Sequence, residues 1–271
     1  MSWMLWTAAY LSLGAFAGFF AGMLGIGGGL LLVPALTLMF AAQGQFPLAE
    51  TLHMALGTSM STIIFTAVAS LRTHHRHGAV LWDVFKIITP GILLGTAIGT
   101  LFAANIPARP LAVFFTFFVC LVALQMALNL KPKAARDLPA PLGIAGVGVG
   151  IGILSSLVAI GGGALTVPFL TWCNIRVQHA IGTSAAIGLP IAVGGTLGYM
   201  FNGWGQADLP AGSLGYVYLP ALAILVVASM ATAPFGARLA HRLPVATLKR
   251  IFAGILILLA LKMLWSLFSA P

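Results

Sequence analysis

The sequence predicts an all-α, polytopic membrane protein whose two halves form an inverted repeat of five plus five helices, each half holding a short half-helix after a glycine-rich break. Three observations carry this reading. The chain is 60% hydrophobic and 6% charged, where soluble domains carry about a quarter charged residues. Apolar stretches long enough to cross a bilayer recur almost end to end. The same motifs appear twice, in the same order.

The composition excludes a soluble domain. A net charge of +9 raises the question of a nucleic-acid partner, but the 13 basic residues sit in short loops between apolar stretches and read as topology signals. Cys120 lies inside an apolar run and Cys173 at the end of another, without metal-ligand spacing, so both read as plain buried hydrophobes. The N-terminal Met1 to Trp6 lacks the basic region of a secretory signal and runs into a long apolar stretch, which is taken as a retained first helix.

In chain order, Met4 to Phe40 is too long for one crossing and is interrupted at Gly25-Ile26-Gly27-Gly28-Gly29, giving a full helix and then a short one. Further spans run from about Leu48 to Leu71, Ala79 to Ala104 and Pro110 to Leu130. The charged, proline-bearing Lys131 to Asp137 then breaks the pattern. The expected organisation is an N-terminal bundle over residues 1–130, a cytoplasmic linker over 131–140 and a C-terminal inverted bundle over 141–271.

After the linker the chain starts again. Ile26 to Pro34 (IGGGLLLVP) reappears as Ile160 to Pro168 (IGGGALTVP), and Ala55 to Ser59 (ALGTS) as Ala180 to Ser184 (AIGTS). A weaker third match aligns Gly99, Ala103, Pro107 and Leu111 with Gly236, Ala240, Pro244 and Leu248. If the short segments Leu30 to Ala42 and Ala164 to Cys173 count as crossings, each half has an odd number and the halves are inverted. The loops holding Arg72/Arg76, Lys131/Lys133/Arg136, Arg176 and Arg238 to Arg250 then share one side, the cytoplasm, and leave only Arg109 opposite. Both termini are expected outside.

The glycine breaks are the strongest functional signal, because they free backbone groups that hydrocarbon cannot satisfy. Pro34 and Pro168 mark the helices that follow, expected to begin near Leu31 and Leu165 so that each proline falls in a first turn. Their N-terminal N–H groups make Gly27, Gly28 and Gly29, and Gly161, Gly162 and Gly163, two candidate half-sites for an oxyanion. The competing reading is close helix packing, which suits Gly14/Gly18/Gly22 and Gly91/Gly95/Gly99. Thr58/Ser59 and Thr183/Ser184 place hydroxyls inside apolar spans at duplicated positions, where they complete the site or bond back to their own helix. No nucleotide loop is present, since no Lys-Ser/Thr follows the glycines.

Arg72 to His77 is read as a solvated loop rather than a metal or pH site, and His53 and His179 as accessory to the two Gly-Thr-Ser motifs. The four acidic residues, Glu50, Asp83, Asp137 and Asp208, all lie near span ends. Lys86 and Lys262 read as interface anchors.

At the paired Gly-Gly-Gly-x-x-x-Val-Pro motifs, Gly27 to Pro34 and Gly161 to Pro168, each followed by Gly-Thr-Ser, the sequence resembles the TauE/SafE sulfite exporter family along nearly its whole length. The resemblance implies an inner-membrane, multi-pass permease for sulfite, sulfoacetate or a similar organosulfonate. It implies no catalytic residue, metal or cofactor. The partners are then a small sulfur-containing anion and the lipid bilayer, with no nucleic acid and with a homodimer left open. The favoured mechanism is alternating access; an anion channel or a permease for another small anion is the alternative. An intramembrane enzyme would need a nucleophile or metal cluster that the sequence does not offer. Without intramembrane carboxylates the expected driving force is electrogenic efflux, with His53 and His179 the residues able to carry a proton instead.

Overall fold

The protein is described from a computed structural model over residues 3–24, 28–128, 135–206, 208–240 and 245–269. Gly27, one of the candidate site residues, and Lys131 to Ala134 of the linker lie outside these residues. The first half consists of α1 (Trp3–Leu24), α2 (Gly29–Gln43), α3 (Thr51–Arg76), α4 (Trp82–Asn105) and α5 (Ala108–Ala127). The second consists of α6 (Pro141–Val158), α7 (Gly163–Trp172), α8 (Val177–Asn202), α9 (Leu219–Ala240) and α10 (Val245–Ser269). A two-residue hairpin, β1 (Ser213–Leu214) and β2 (Val217–Tyr218), joins α8 to α9.

Seven of these helices, α1, α3, α4, α5, α6, α8 and α9, are long and apolar enough to cross a membrane. The short helices are α2, with 15 residues, and α7, with 10, against about 20 for a full crossing. Local chemistry sets the ends. Gly44 closes α2 at φ 70° and Gly78 follows α3 at φ 64°, conformations open to glycine. Pro141 opens α6 at a position where its missing N–H costs nothing.

Helix directions show how the halves are related. Gly14, Gly18 and Gly22 of α1 press on Leu225, Ser229 and Ala233 of α9, so these helices run parallel. Gly148 and Gly152 of α6 press on Ile88 and Ile92 of α4 in the same sense. Gly57 of α3 instead meets Tyr199 of α8, and Gly195 meets Met60, so α3 and α8 are antiparallel. Helices α5 and α10 are antiparallel too, with Thr116 against Ala260 and Arg109 over Phe268. Equivalent helices thus point in opposite directions, the arrangement of an inverted repeat in which α2 and α7 each reverse the chain.

The repeat extends into contacts. The register that matches Gly99 with Gly236 also matches Ile88 with Leu225 and Ile92 with Ser229. The α1–α9 packing and the α6–α4 packing are therefore two copies of one interface. At both, small residues let the backbones approach: a Cβ on Gly95 would strike the Val149 carbonyl oxygen, and one on Gly22 that of Ala233.

Two local expectations are corrected. The half-helices begin at Gly29 and Gly163, two residues earlier than the prolines imply. Gly28 and Gly162 adopt φ 76° and φ 82°, so the turn is complete there and the helix starts on the next residue. Pro34 and Pro168 consequently lie in the second turn, where their missing N–H leaves the Leu30 and Ala164 carbonyls without the usual helical donor. The second correction concerns Arg72 to Arg76, which continue α3 rather than forming a loop.

Candidate anion site and translocation path

The two helix breaks meet in the middle of the bundle. A Cβ on Gly29 would run into the carbonyl oxygen of Ala159, the residue that ends α6 in a left-handed conformation at φ 48°. Gly29 also faces Ile63, midway along α3, and Gly161 lies with its carbonyl against Gly188 of α8. Each short helix therefore starts at the level of the crossing between α3 and α8. In α2 the N–H groups of Leu31 and Leu32 bond to Gly28 O, and in α7 those of Leu165 and Thr166 bond to Gly162 O. The N–H groups of Gly29, Leu30, Gly163 and Ala164 find no backbone acceptor among the described residues, and the positive helix ends coincide with them.

The four candidate hydroxyl residues are all fully buried but do different things. Thr58 Oγ1 accepts the N–H of Tyr218, the residue before α9, at 3.0 Å. Thr183 Oγ1 accepts the N–H of Leu81, the residue before α4, at 2.9 Å. In the repeat register Leu81 matches Tyr218, so these are two copies of one crosslink between the halves. Ser184 Oγ donates back to Ile181 O at 2.8 Å. Ser59 Oγ has no hydrogen-bond partner among the described residues, and neither do Ser155 Oγ, before the second break, and Thr166 Oγ1, in the first turn of α7.

A cavity of 160 Å³ leads from the second break to one face of the bundle. Gly161 and Ile63 lie at its deep end; Thr66, Ser70, Thr73 and His74 of α3 and Met230, Ala233 and Pro234 of α9 form its walls. None of the lining residues is acidic, so nothing in the wall repels an anion. Of the candidate site residues, only Gly161 lines it; Gly28 packs against Ala17 and Ala21 of α1. Thr66, Ser155 and Thr166 were not singled out from the sequence, and His74 was read as part of a solvated loop. The spacing Ile63, Thr66, Ser70, Thr73 and His74 places them on one side of a helix, a signal obscured by ending α3 at Leu71.

This cavity has an equivalent position on the opposite face, and there the structure is shut. In the Thr58/Thr183 register, Ala69, Thr73 and His74 match Gly194, Gly198 and Tyr199, while in the Gly99/Gly236 register Met230 and Ala233 match Leu93 and Thr96. Gly194 packs on Leu93 and Thr96, Gly198 packs on Thr100, and Asn202 donates to Thr100 O at 3.0 Å. Tyr199, fully buried, donates its hydroxyl to Ser156 O at 3.0 Å. The seam between α8 and α4, beside the β-hairpin, is therefore closed, and its counterpart between α3 and α9 is parted by the cavity.

Among the described residues no cluster of metal-ligating side chains occurs. No solved structure resembles the chain closely enough to register as a match. A probable membrane transporter protein of Haemophilus influenzae is 38% identical over 258 residues, covering 93% of this chain and 96% of the relative. The probable membrane transporter protein YdhB of Bacillus subtilis is 28% identical, covering 86% of this chain and 89% of its own. The family profile described as Sulfite exporter TauE/SafE matches residues 10–263, which spans both glycine breaks, both threonine crosslinks and the cavity: the chain belongs to the TauE/SafE sulfite exporter family of membrane transporters.

Proposed function

We propose that the protein exports a small sulfur-containing anion, sulfite or an organosulfonate such as sulfoacetate, across the inner membrane by alternating access. The observation that carries this reading is the unequal closure of two equivalent seams. A carrier built from inverted repeats exchanges its two states by letting each half adopt the other's conformation. In the opposite state Ala69 and Thr73 would pack on α9 as Gly194 and Gly198 now pack on α4. His74 would then approach Gly22, the repeat equivalent of Ser156, as Tyr199 now approaches Ser156. The anion is held at the breaks by the helix-start N–H groups of Gly29, Leu30, Gly163 and Ala164, with Ser59 Oγ as a further donor and Thr58 and Thr183 fixing the frame. The basic loops on the cavity's side support a cytoplasmic mouth by the positive-inside rule, where an exporter collects its substrate.

An inside-negative potential favours anion exit by about 2.3 kcal/mol per charge per 100 mV, so no coupling ion is required. Liposomes containing only this protein and loaded with sulfite test the reading. Saturable efflux that speeds up under an inside-negative valinomycin potential is expected. Non-saturable flux would indicate a channel, no flux would remove the transport reading, and efflux that ignores voltage but follows a pH gradient would replace uniport by proton coupling.

A further inference from the structure

The two breaks are served by uncharged side chains. Among the described residues the buried polar side chains are threonines, serines and His53, with no lysine or arginine. His53 and His179 lie in the first turns of α3 and α8, about 14 Å along each helix from Ile63 and Gly188 beside the breaks. The cavity that reaches Gly161 has one titratable lining residue among those described, His74, toward the C-terminal end of α3. The positive charge that the breaks offer comes from the starts of α2 and α7, each equivalent to about half a charge.

The second break also holds a hydroxyl that the first lacks. Thr166 is in the first turn of α7, and helical side chains lean toward the N-terminus of their helix, so this one leans toward the Gly162–Gly163 start. It is fully buried, and its Oγ1 makes no hydrogen bond among the described residues, not even the bond back to the Gly162 carbonyl that its position would allow. Its repeat equivalent is Leu32. Ser59 Oγ, also buried and unpartnered among the described residues, lies one turn before Ile63, the side chain that Gly29 faces. A buried hydroxyl without a partner is unfavourable, and an oxyanion at the helix starts satisfies both.

We infer that the breaks select by charge: they take a sulfur oxyanion head with one negative charge, a sulfonate or hydrogensulfite, and reject one with two, such as the sulfite dianion. Closing a seam over the anion strips water from its head. That cost grows with the square of the charge, about fourfold for a dianion, whereas the attraction to the helix ends only doubles. The two ends together supply about one positive charge, which offsets a monoanion and leaves a second charge uncompensated. A charge on a separate group, such as the carboxylate of sulfoacetate, escapes this rule, because a cavity of 160 Å³ has room for water beside a small head. Sulfite then leaves as hydrogensulfite with its proton on the anion. Each turnover moves one net negative charge outward, so export stays voltage-dependent and needs no side chain to carry the proton.

The inference rests on the reading of the protein as an alternating-access carrier with its site at the breaks, and its test separates the two. The full chain in proteoliposomes is loaded with radiolabelled methanesulfonate or sulfate, anions of similar size whose charges, one and two, are fixed at neutral pH. With the potential clamped at zero, methanesulfonate efflux should saturate and exceed sulfate efflux by about tenfold or more. Thr166→Val, which keeps the shape and removes the hydroxyl, should raise the KM for methanesulfonate several-fold. Ala185→Lys and Thr66→Lys each place a cation in the cavity wall near the second break and should raise sulfate efflux relative to methanesulfonate. The two lysines sit on different helices, so misfolding of one leaves the other decisive. Equal efflux of the two anions in the parent, or a ratio unmoved by a folded lysine variant, overturns charge selection alone. No saturable flux of methanesulfonate, sulfate or sulfoacetate overturns the carrier reading and the selection with it.

Discussion

The hydroxyl of Thr58 accepts the backbone N–H of Tyr218 at 3.0 Å, tying the N-terminal third of α3 to the start of α9 in the other half. Its repeat image ties Thr183 to Leu81 at the start of α4. Each crosslink joins a helix of one half to the start of a helix in the other, so these threonines hold the two halves in register. Thr58→Val and Thr183→Val, which keep the shape and remove the acceptor, should each destabilise the protein by about 1–3 kcal/mol. Serine at either position should restore most of it. Thermal denaturation in detergent checks this, and an unchanged melting temperature for both valine variants would show that the crosslinks hold nothing together.

The glycines separate into two groups by what a side chain would meet. At Gly162 an added Cβ comes 3.1 Å from Ile191 Cδ1, the flexible end of a side chain, so the main cost of Gly162→Ala is the positive φ, about 1–2 kcal/mol. At Gly95 the Cβ collides with the Val149 backbone, which would force α4 and α6 apart. Gly162→Ala should therefore yield monodisperse protein with impaired sulfite flux, and Gly95→Ala little folded protein at all. Full transport by Gly162→Ala would reduce the second break to a packing device.

Sidedness follows from charge. Single cysteines at His77 and Ala211, both exposed, should report opposite faces: a membrane-impermeant thiol reagent added to intact cells should label Ala211→Cys and spare His77→Cys. The reverse pattern would put the cavity on the outer face and overturn this sidedness.

Much of this was legible in the sequence because the duplication is written in residues that backbone geometry demands. Glycines at 28 and 162 are needed for positive φ, and the threonines at 58 and 183 repeat because one crosslink is built twice. Parity of crossings, read from basic loops, agrees with the antiparallel pairs α3/α8 and α5/α10. The start of the half-helices was misplaced because a proline tolerates the second turn when its orphaned carbonyl partner lies near a helix end. The cavity was not legible, since its walls are ordinary small and hydroxyl residues whose repeat equivalents are packed shut. Sequence repeats report what the halves share, whereas an access path exists where they differ.

That difference is open to a direct test. An ideal Cβ at Gly194 lies 3.5 Å from Thr96 Cβ, within the 3.5–4.5 Å that a disulfide spans. In a background lacking Cys120 and Cys173, Gly194→Cys with Thr96→Cys should crosslink on oxidation and pin the hairpin-face seam shut. Efflux of sulfoacetate, which unlike sulfite does not cleave disulfides, should then stop in proteoliposomes and return on reduction, while a third cysteine replacing Ala69 stays reactive from the cavity side throughout. Efflux continuing at the uncrosslinked rate through fully oxidised protein would contradict alternating access between these two seams.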